Sequence, residues 1–263
     1  MDIRVRPTFV AGSFYPARTD QLSQLIQSFI HSVPNFHYNV KALIVPHAGY
    51  KYSGPIAASA YKLLGSQAHE IKRIVLLGPA HRVAFSGLAL PEANFFDCPL
   101  GQLKVDDKLK NSIASVEGVI VSDLVHAHEH SLEVQLPFIK TVVPNATILP
   151  ILVGMASPRQ IQRVLESLQL DKDTLLIVSS DLSHYHSHQV AQKLDSETAA
   201  EIEHLNSNLL SGERACGYIA IQGLINYAKQ KQWKCQLLDL RDSSDTAGEP
   251  DSVVGYGAFA FYE

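Results

Sequence analysis

The sequence predicts an α/β fold, a single-domain αβα sandwich built on a largely parallel central sheet. Three observations carry that prediction. Runs rich in Ile, Val and Leu recur at 41–45, 73–77, 147–153 and 174–178, and unbroken apolar runs of that length suit strands covered on both faces. Helical patterns separate the runs, and βαβα alternation points to a parallel sheet between helical layers. No Pro/Gly/Ser-rich linker, repeat or low-complexity tract interrupts the chain, so one domain over 1–263 is expected.

The first helix is placed at 19–31, opening at Thr19/Asp20 with Leu22, Leu25, Ile26 and Phe29 on one face. The run 41–45 follows as a buried strand, and a helix over 55–64 starts after Gly54 with Pro55 in its first turn. Strand 73–77 precedes a long middle stretch that ends in a helix over 130–142. Strand 147–153 leads to a helix over 158–168, where Ser157-Pro158 is a strong start signal. Strand 174–178 leads to helices over 188–204 and 216–230. Residues 234–240 and 253–262 read as late strands that pair antiparallel.

Composition narrows the function. The formal charge is −4 and no dense Lys/Arg cluster exists, so the electrostatic footprint of a nucleic-acid binder is missing. Cys98, Cys216 and Cys235 are odd in number, widely spaced and without a CxxC. They read as buried thiols of a reducing compartment rather than a disulfide framework or a zinc ribbon. The first residues lack the apolar core of a signal peptide, and the longest apolar stretch, 146–156, contains Pro150 and Gly154 and is too short to span a bilayer. A cytoplasmic protein without a membrane partner is the expectation.

Of 12 histidines, several follow strands within a few residues. Strand 41–45 leads to His47, strand 73–77 leads through Gly78-Pro79-Ala80 to His81, and strand 174–178 leads through Asp181 to His184, His186 and His188. Ligands of open parallel sheets bind at the carboxyl edge of the strands, so His47, His81 and His184 are expected to share a site. A single turn histidine carries little weight; the joint pattern carries the argument. His186, His188, His126 and His128 are expected to face solvent. Glu129 and His130 are expected to point into the crevice, and Glu133 to lie on a solvated helix face. Two imidazoles and one oxygen ligand fit a divalent metal with open positions, and a further histidine fits acid/base work near neutral pH. The same set also fits a metal-free pocket that grips an anion. The nucleophile elbow GxSxG, the phosphate loop GxxxxGK[ST] and HExxH are all absent.

Four motifs in order, "VPHAGYKYSG", "GPAHRVAFSG", "EHSLEVQLPFI" and "SSDLSHY", resemble the Memo-like family, with similarity running from "AGSFYP" to "VVGYGAFAF". The resemblance implies a fold similar to class III extradiol ring-cleavage dioxygenases. It implies His47 and His81 as metal histidines, His184 as an acid/base histidine and Asp181 as its neighbouring acid. The family's animal members carry a late cysteine ligand. Thr246 takes its place here, Cys235 lies too early to substitute, and Asp245 offers an oxygen instead. A peptide pocket proposed for the animal proteins matches Phe14, in place of a tryptophan, together with Tyr52 and His81. The ligand-binding set is thus Phe14, Tyr52, Glu129, His130 and Thr246. The implied cofactor is a divalent metal, iron(II) ahead of copper or zinc. The implied partners are a small-molecule or peptide ligand and, in prokaryotes, radical-SAM and AMMECR-type proteins. Three functions stand open: metal-dependent redox chemistry, a non-catalytic adaptor for phosphorylated or anionic peptides, and a metal-dependent hydrolase.

Overall fold

The computed structural model describes residues 3–34 and 38–263. In chain order its elements are β1 (Val5–Arg6), α1 (Thr19–Ser32), β2 (Val40–Val45), α2 (Tyr50–Tyr61), β3 (Arg73–Pro79), β4 (Leu88–Leu90), β5 (Phe95–Phe96), β6 (Leu103–Lys104), α3 (Asp107–Ile113), β7 (Val119–Val121), α4 (Asp123–His126), α5 (Leu136–Val142), β8 (Thr147–Val153), α6 (Pro158–Ser167), β9 (Thr174–Ser179), β10 (His184–His186), α7 (His188–Glu203), α8 (Tyr218–Gln230), β11 (Lys234–Asp242) and β12 (Val253–Tyr262). Among the described residues the main sheet has nine strands in the order β10-β12-β2-β9-β3-β8-β4-β7, with β11 along β12. Strands β2, β9, β3 and β8 are mutually parallel. Antiparallel pairings flank them, β12 on β2 and β4 on β8, and β11 with β12 forms the expected late antiparallel pair.

The unbroken apolar runs resolve into two faces, because successive strand side chains point to opposite sides. Leu43, Val45, Ile74, Leu76, Ile148 and Ile177 enter one core, under α1, α2 and α5. Ala42, Ile44, Val75, Leu77, Ile151 and Val178 enter the other, under α6, α7 and α8. Each such side chain, fully withdrawn from water, contributes about 1.5–3 kcal/mol before conformational entropy is set against it. Helix α6 starts on a capping box: the Ser157 hydroxyl accepts from Gln160 N–H, and the Gln160 side chain accepts from Ser157 N–H. Helix α8 packs closely on α6 at Gly223, where a Cβ would lie 2.3 Å from Ile161 Cβ.

Two helices differ from the sequence reading. Helix α2 begins at Tyr50, a turn before the expected start, and holds Pro55 in its interior. Its first N–H is already satisfied by the Phe14 carbonyl at 2.7 Å, and Ser53 Oγ donates to Ala48 O at 2.8 Å. The helix expected over 130–142 is split, with a 3-10 turn at Glu133–Gln135 before α5. The Glu129 side chain accepts from His130 N–H and Ser131 N–H, which holds this stretch as a turn. Strands β1, β4, β5, β6 and β7 are two or three residues long, too short to display a period in sequence.

Two residues expected at the surface are buried. Glu133 is fully enclosed. It pairs with the Arg6 guanidinium and accepts from Phe9 N–H, Val10 N–H and the Tyr15 hydroxyl. One carboxylate therefore ties residues 6–15 across the molecule. His126 is 1% exposed. Its Nε2–H donates to Ala89 O at 3.0 Å, its ring lies edge-on to Phe96, and its carbonyl accepts from Arg6 Nε.

Replacing Glu133 by Ala strands the Arg6 charge in the interior, and unfolding in urea is expected to show a loss of about 3–5 kcal/mol. Burial pulls His126 down to about 4, so the unfolded chain takes up a proton near pH 6.5 that the folded chain refuses. Stability therefore falls as pH drops from 6.5 toward 4, with about 3 kcal/mol of that fall traceable to this ring. Urea midpoints across that window should flatten by this amount in His126→Asn; an unchanged slope removes the assignment.

Candidate functional site

Parallel pairing of Val45 with Ser179, and of Leu77 with Val178, ends β2, β9 and β3 at one edge of the sheet. Strand β12 runs antiparallel to β2, so its first residues and the preceding loop reach the same edge. His47, His81 and the segment 180–184 thereby meet.

His47 is 2% exposed and held at both ends. Its N–H donates to Asp181 Oδ1 at 2.7 Å, and its Nδ1 lies 2.9 Å from Ser179 Oγ. The single hydroxyl proton of Ser179 goes to Ser131 O at 2.6 Å, and Gln135 Nε2 donates to Ser179 Oγ at 2.8 Å. Gln135 is fixed in that orientation by Pro46 O, which accepts from Nε2, and by the Tyr61 hydroxyl, which donates to Oε1. Ser179 Oγ is therefore the acceptor toward His47. The imidazole carries its proton on Nδ1 and offers a bare Nε2. Burial first, and the neighbouring His81 second, hold its pKa well below the ordinary imidazole value.

That bare nitrogen faces His81 Nε2 at 3.3 Å and Cys216 Sγ at 3.4 Å, and donor atoms of the three residues all lie within 4.8 Å of one another. A tetrahedral ion with bonds of about 2.05 Å to nitrogen and about 2.3 Å to sulfur would space two nitrogens by about 3.3 Å and a nitrogen and a sulfur by about 3.6 Å. Both spacings from His47 match such an ion, and the third pair, His81 and Cys216, lies within 4.8 Å. Cys216 stands at the turn before α8, with Asp181 N–H donating to its sulfur at 3.3 Å. Burial, reinforced by the Asp181 charge, pushes its thiol up to about 12, so the thiol keeps its proton unless a cation displaces it.

Glu129 sets the position of His81. Its carboxylate is 2% exposed and accepts from the N–H groups of His81, Arg82, His130 and Ser131. Burial works against its charge, yet those N–H groups, led by Ser131 and His81, and the nearby imidazoles hold its pKa below the usual carboxylate value. His130 Nδ1 lies 3.2 Å from the same carboxylate. Its ring stacks on His81 at 5.1 Å and sits edge-on to His47 at 5.5 Å. Burial lowers its pKa more than Glu129 raises it. Asp181 is 5% exposed, and burial raises its pKa against the opposing pull of His47 N–H.

Phe14, Tyr52, His130, Asp181 and His184 line one cavity of about 460 Å³ beside the trio, with Tyr185 and Glu249 among its other walls. Phe14 rests on the His130 ring at 4.9 Å. The structure does not bring Asp245 to the histidine pair. Its Oδ2 accepts from Asp242 N–H at 2.9 Å, and it groups with Asp242 and His188 instead. Thr246 donates to Ser243 O and is outside the trio. Both are drawn off because Asp242–Asp245 form a capped 3-10 turn whose side chains satisfy their own backbone. His188, expected in solvent, has Nδ1 2.6 Å from Asp242 Oδ2. The donor that stands in the third corner is Cys216, which the sequence reading treated as an inert thiol. Its position at the start of the 216–230 helical pattern was its only local signal. Gln135 and Ser179, polar residues inside apolar runs, were the visible trace of the buried network.

Residues 6–260 match the family model described as Memo-like protein. The MEMO1 family protein SSO0066 of Saccharolobus solfataricus is 34% identical, over 96% of this chain and 97% of that relative. A MEMO1 family protein of Metallosphaera sedula is 33% identical, over 96% and 97%. Among solved structures, the uncharacterized protein JW3007 from Escherichia coli K12 superposes with a TM-score of 0.52 at 12% identity, covering 83% of this chain and 99% of that one; at that identity it is a likeness of fold.

The tautomer is directly measurable. At pH 6.5, where an ordinary imidazole is half protonated, nitrogen-15 spectra of the apo protein should show His47 neutral, protonated on Nδ1 and bare on Nε2. Ser179→Ala should mix the tautomers. A wild-type His47 protonated on Nε2 would remove the argument.

Proposed function

This chain belongs to the Memo-like family, and from that premise we propose that it is a metal-dependent redox enzyme whose ion, iron(II) foremost, is held by His47, His81 and Cys216. The observation that carries the reading is the spacing of the three donors around the bare Nε2 of His47, at 3.3 and 3.4 Å. His47, His81 and Cys216 would hold an iron(II) ion by two imidazoles and a thiolate, and the ion would supply one-electron chemistry there.

The chain's own groups do the rest. Ser179 and Gln135 orient His47, and Glu129 fixes the turn that presents His81, so both rings are placed before any ligand arrives. His184 and Asp181 line the adjoining cavity and are assigned the proton handling: His184 accepts a proton from a bound substrate, and Asp181, its pKa raised by burial, steadies the ring that results. Phe14 and Tyr52 give the cavity flat walls on which a planar substrate can lie. His130, beside Glu129, supplies a second imidazole facing that space.

Anaerobic calorimetric titration with iron(II) should give one site in the wild type and none in His47→Ala. Ser179→Ala is expected to weaken binding about 10- to 100-fold, and Cys216→Ser by at least as much. The heat should depend on the buffer, because the thiol proton leaves as the ion binds. Elemental analysis of protein purified without an affinity metal separates the outcomes: iron supports the redox reading, and zinc alone moves the site to hydrolysis. A wild type that binds no metal, yet retains a phosphate-bearing peptide, would return the cleft to the adaptor reading.

A further inference from the structure

A second cavity reaches Cys216, and His184 is not among the residues that line it. It has a volume of about 580 Å³ and opens between the turn after β3, the turn after β8 and the start of α8. It thus lies at the same carboxyl edge of the sheet as the His–Cys trio, and Cys216 belongs to its wall. It differs from its neighbour in the charge of its lining. The cavity on the His184 side carries Asp181, Glu249, His130 and His184. Among the described residues, no Asp, Glu, Lys, Arg or His lines the second one; Val83, Phe85, Val153, Met155 and Ile219 dominate its walls.

We infer that this uncharged cavity binds the apolar end of the substrate, a ring or short branched chain, and holds it against Cys216. This inference rests on the trio being the reacting centre.

Three observations support it. The size lies within the range that encloses a small molecule. The walls are tied together before anything binds: Ala80 N–H donates to Val153 O, Gly154 N–H to Gly87 O and Met155 N–H to Phe85 O. Gly154 allows the close approach, since a Cβ there would lie 2.3 Å from Phe85 O. Finally, the structure leaves apolar surface in water at the mouth, where Met155 is 69% exposed. Covering it is favourable for an apolar group, and no charged side chain lines the cavity to compensate an ion.

The test uses the full chain without added metal and the uncharged fluorophore N-phenyl-1-naphthylamine. The expected result is saturable binding at one site, with bound fluorophore slowing N-ethylmaleimide labelling of Cys216 several-fold. Met155→Asp and Ala84→Trp, both at exposed wall positions, should weaken binding about tenfold. Tyr185→Ala, on the rim of the other cavity, should leave it unchanged. The absence of saturable binding, affinity untouched by both wall variants, or unprotected Cys216 in the wild type would each overturn the inference. Iron(II) titration of the same preparations keeps the two ideas apart. Metal bound without fluorophore removes the apolar subsite alone, and fluorophore bound without metal removes the metal centre alone.

Discussion

The parallel register of β2, β9 and β3 is the constraint on which the site depends. Val45 pairs with Ser179, and Leu77 with Val178, so a residue just past one strand end is a neighbour of residues just past the others. A shift of one residue would turn every strand side chain to the opposite core. Because the two cores are each close-packed by side chains of particular size, exchanging them would leave voids and clashes, and packing holds the register. Hydrophobic packing far from the chemistry therefore positions His47 over Ser179. The polar network at the edge only refines a placement that the sheet has already made.

Refinement falls to two buried carboxylates one helical turn apart in sequence. Glu129 gathers four backbone N–H groups and fixes the approach of His81. Glu133 gathers Arg6, the Phe9 and Val10 N–H groups and the Tyr15 hydroxyl. The segment that Glu133 anchors carries Phe14, whose carbonyl accepts from Tyr50 N–H and whose ring covers His130. One wall of the cavity thus hangs on Glu133 and one ring of the trio on Glu129. In a regular helix the two side chains would share a face. The turn held by Glu129 breaks that helix, and the carboxylates serve different parts of the site.

This explains what could be read in advance. The apolar runs and the turn residues after them are local signals, so the four parallel strands and the positions of His47 and His81 at their ends were legible. Burial of a polar group is not a local signal. Glu133 and His126 read as surface because nothing within a few residues reveals Arg6 or Ala89 as partner. Cys216 is the extreme case: it meets His47 across 169 positions of chain, and only the return of the chain before α8 brings them together. Asp245 and Thr246 stand away from the histidine pair for a complementary reason. Their neighbours include Asp242 and Ser243, and short polar side chains in such a run satisfy their own backbone before they satisfy anything remote.

A thiol in the third corner changes the electrostatics of the proposed centre. A carboxylate there would be charged at neutral pH with or without an ion, and would repel Asp181 in an interior that already raises the Asp181 pKa. Cys216 is neutral until a cation arrives, since its thiol is pushed up to about 12. Without an ion, burial disfavours a charge on the His47 imidazole and keeps the proton on the sulfur, so neither group places a charge beside Asp181. With an ion bound, the sulfur loses its proton and the cation offsets the thiolate. The interior thus carries an additional negative charge only while a cation is there to balance it, and the same neutrality makes Cys216 a compatible end wall for the uncharged cavity behind it.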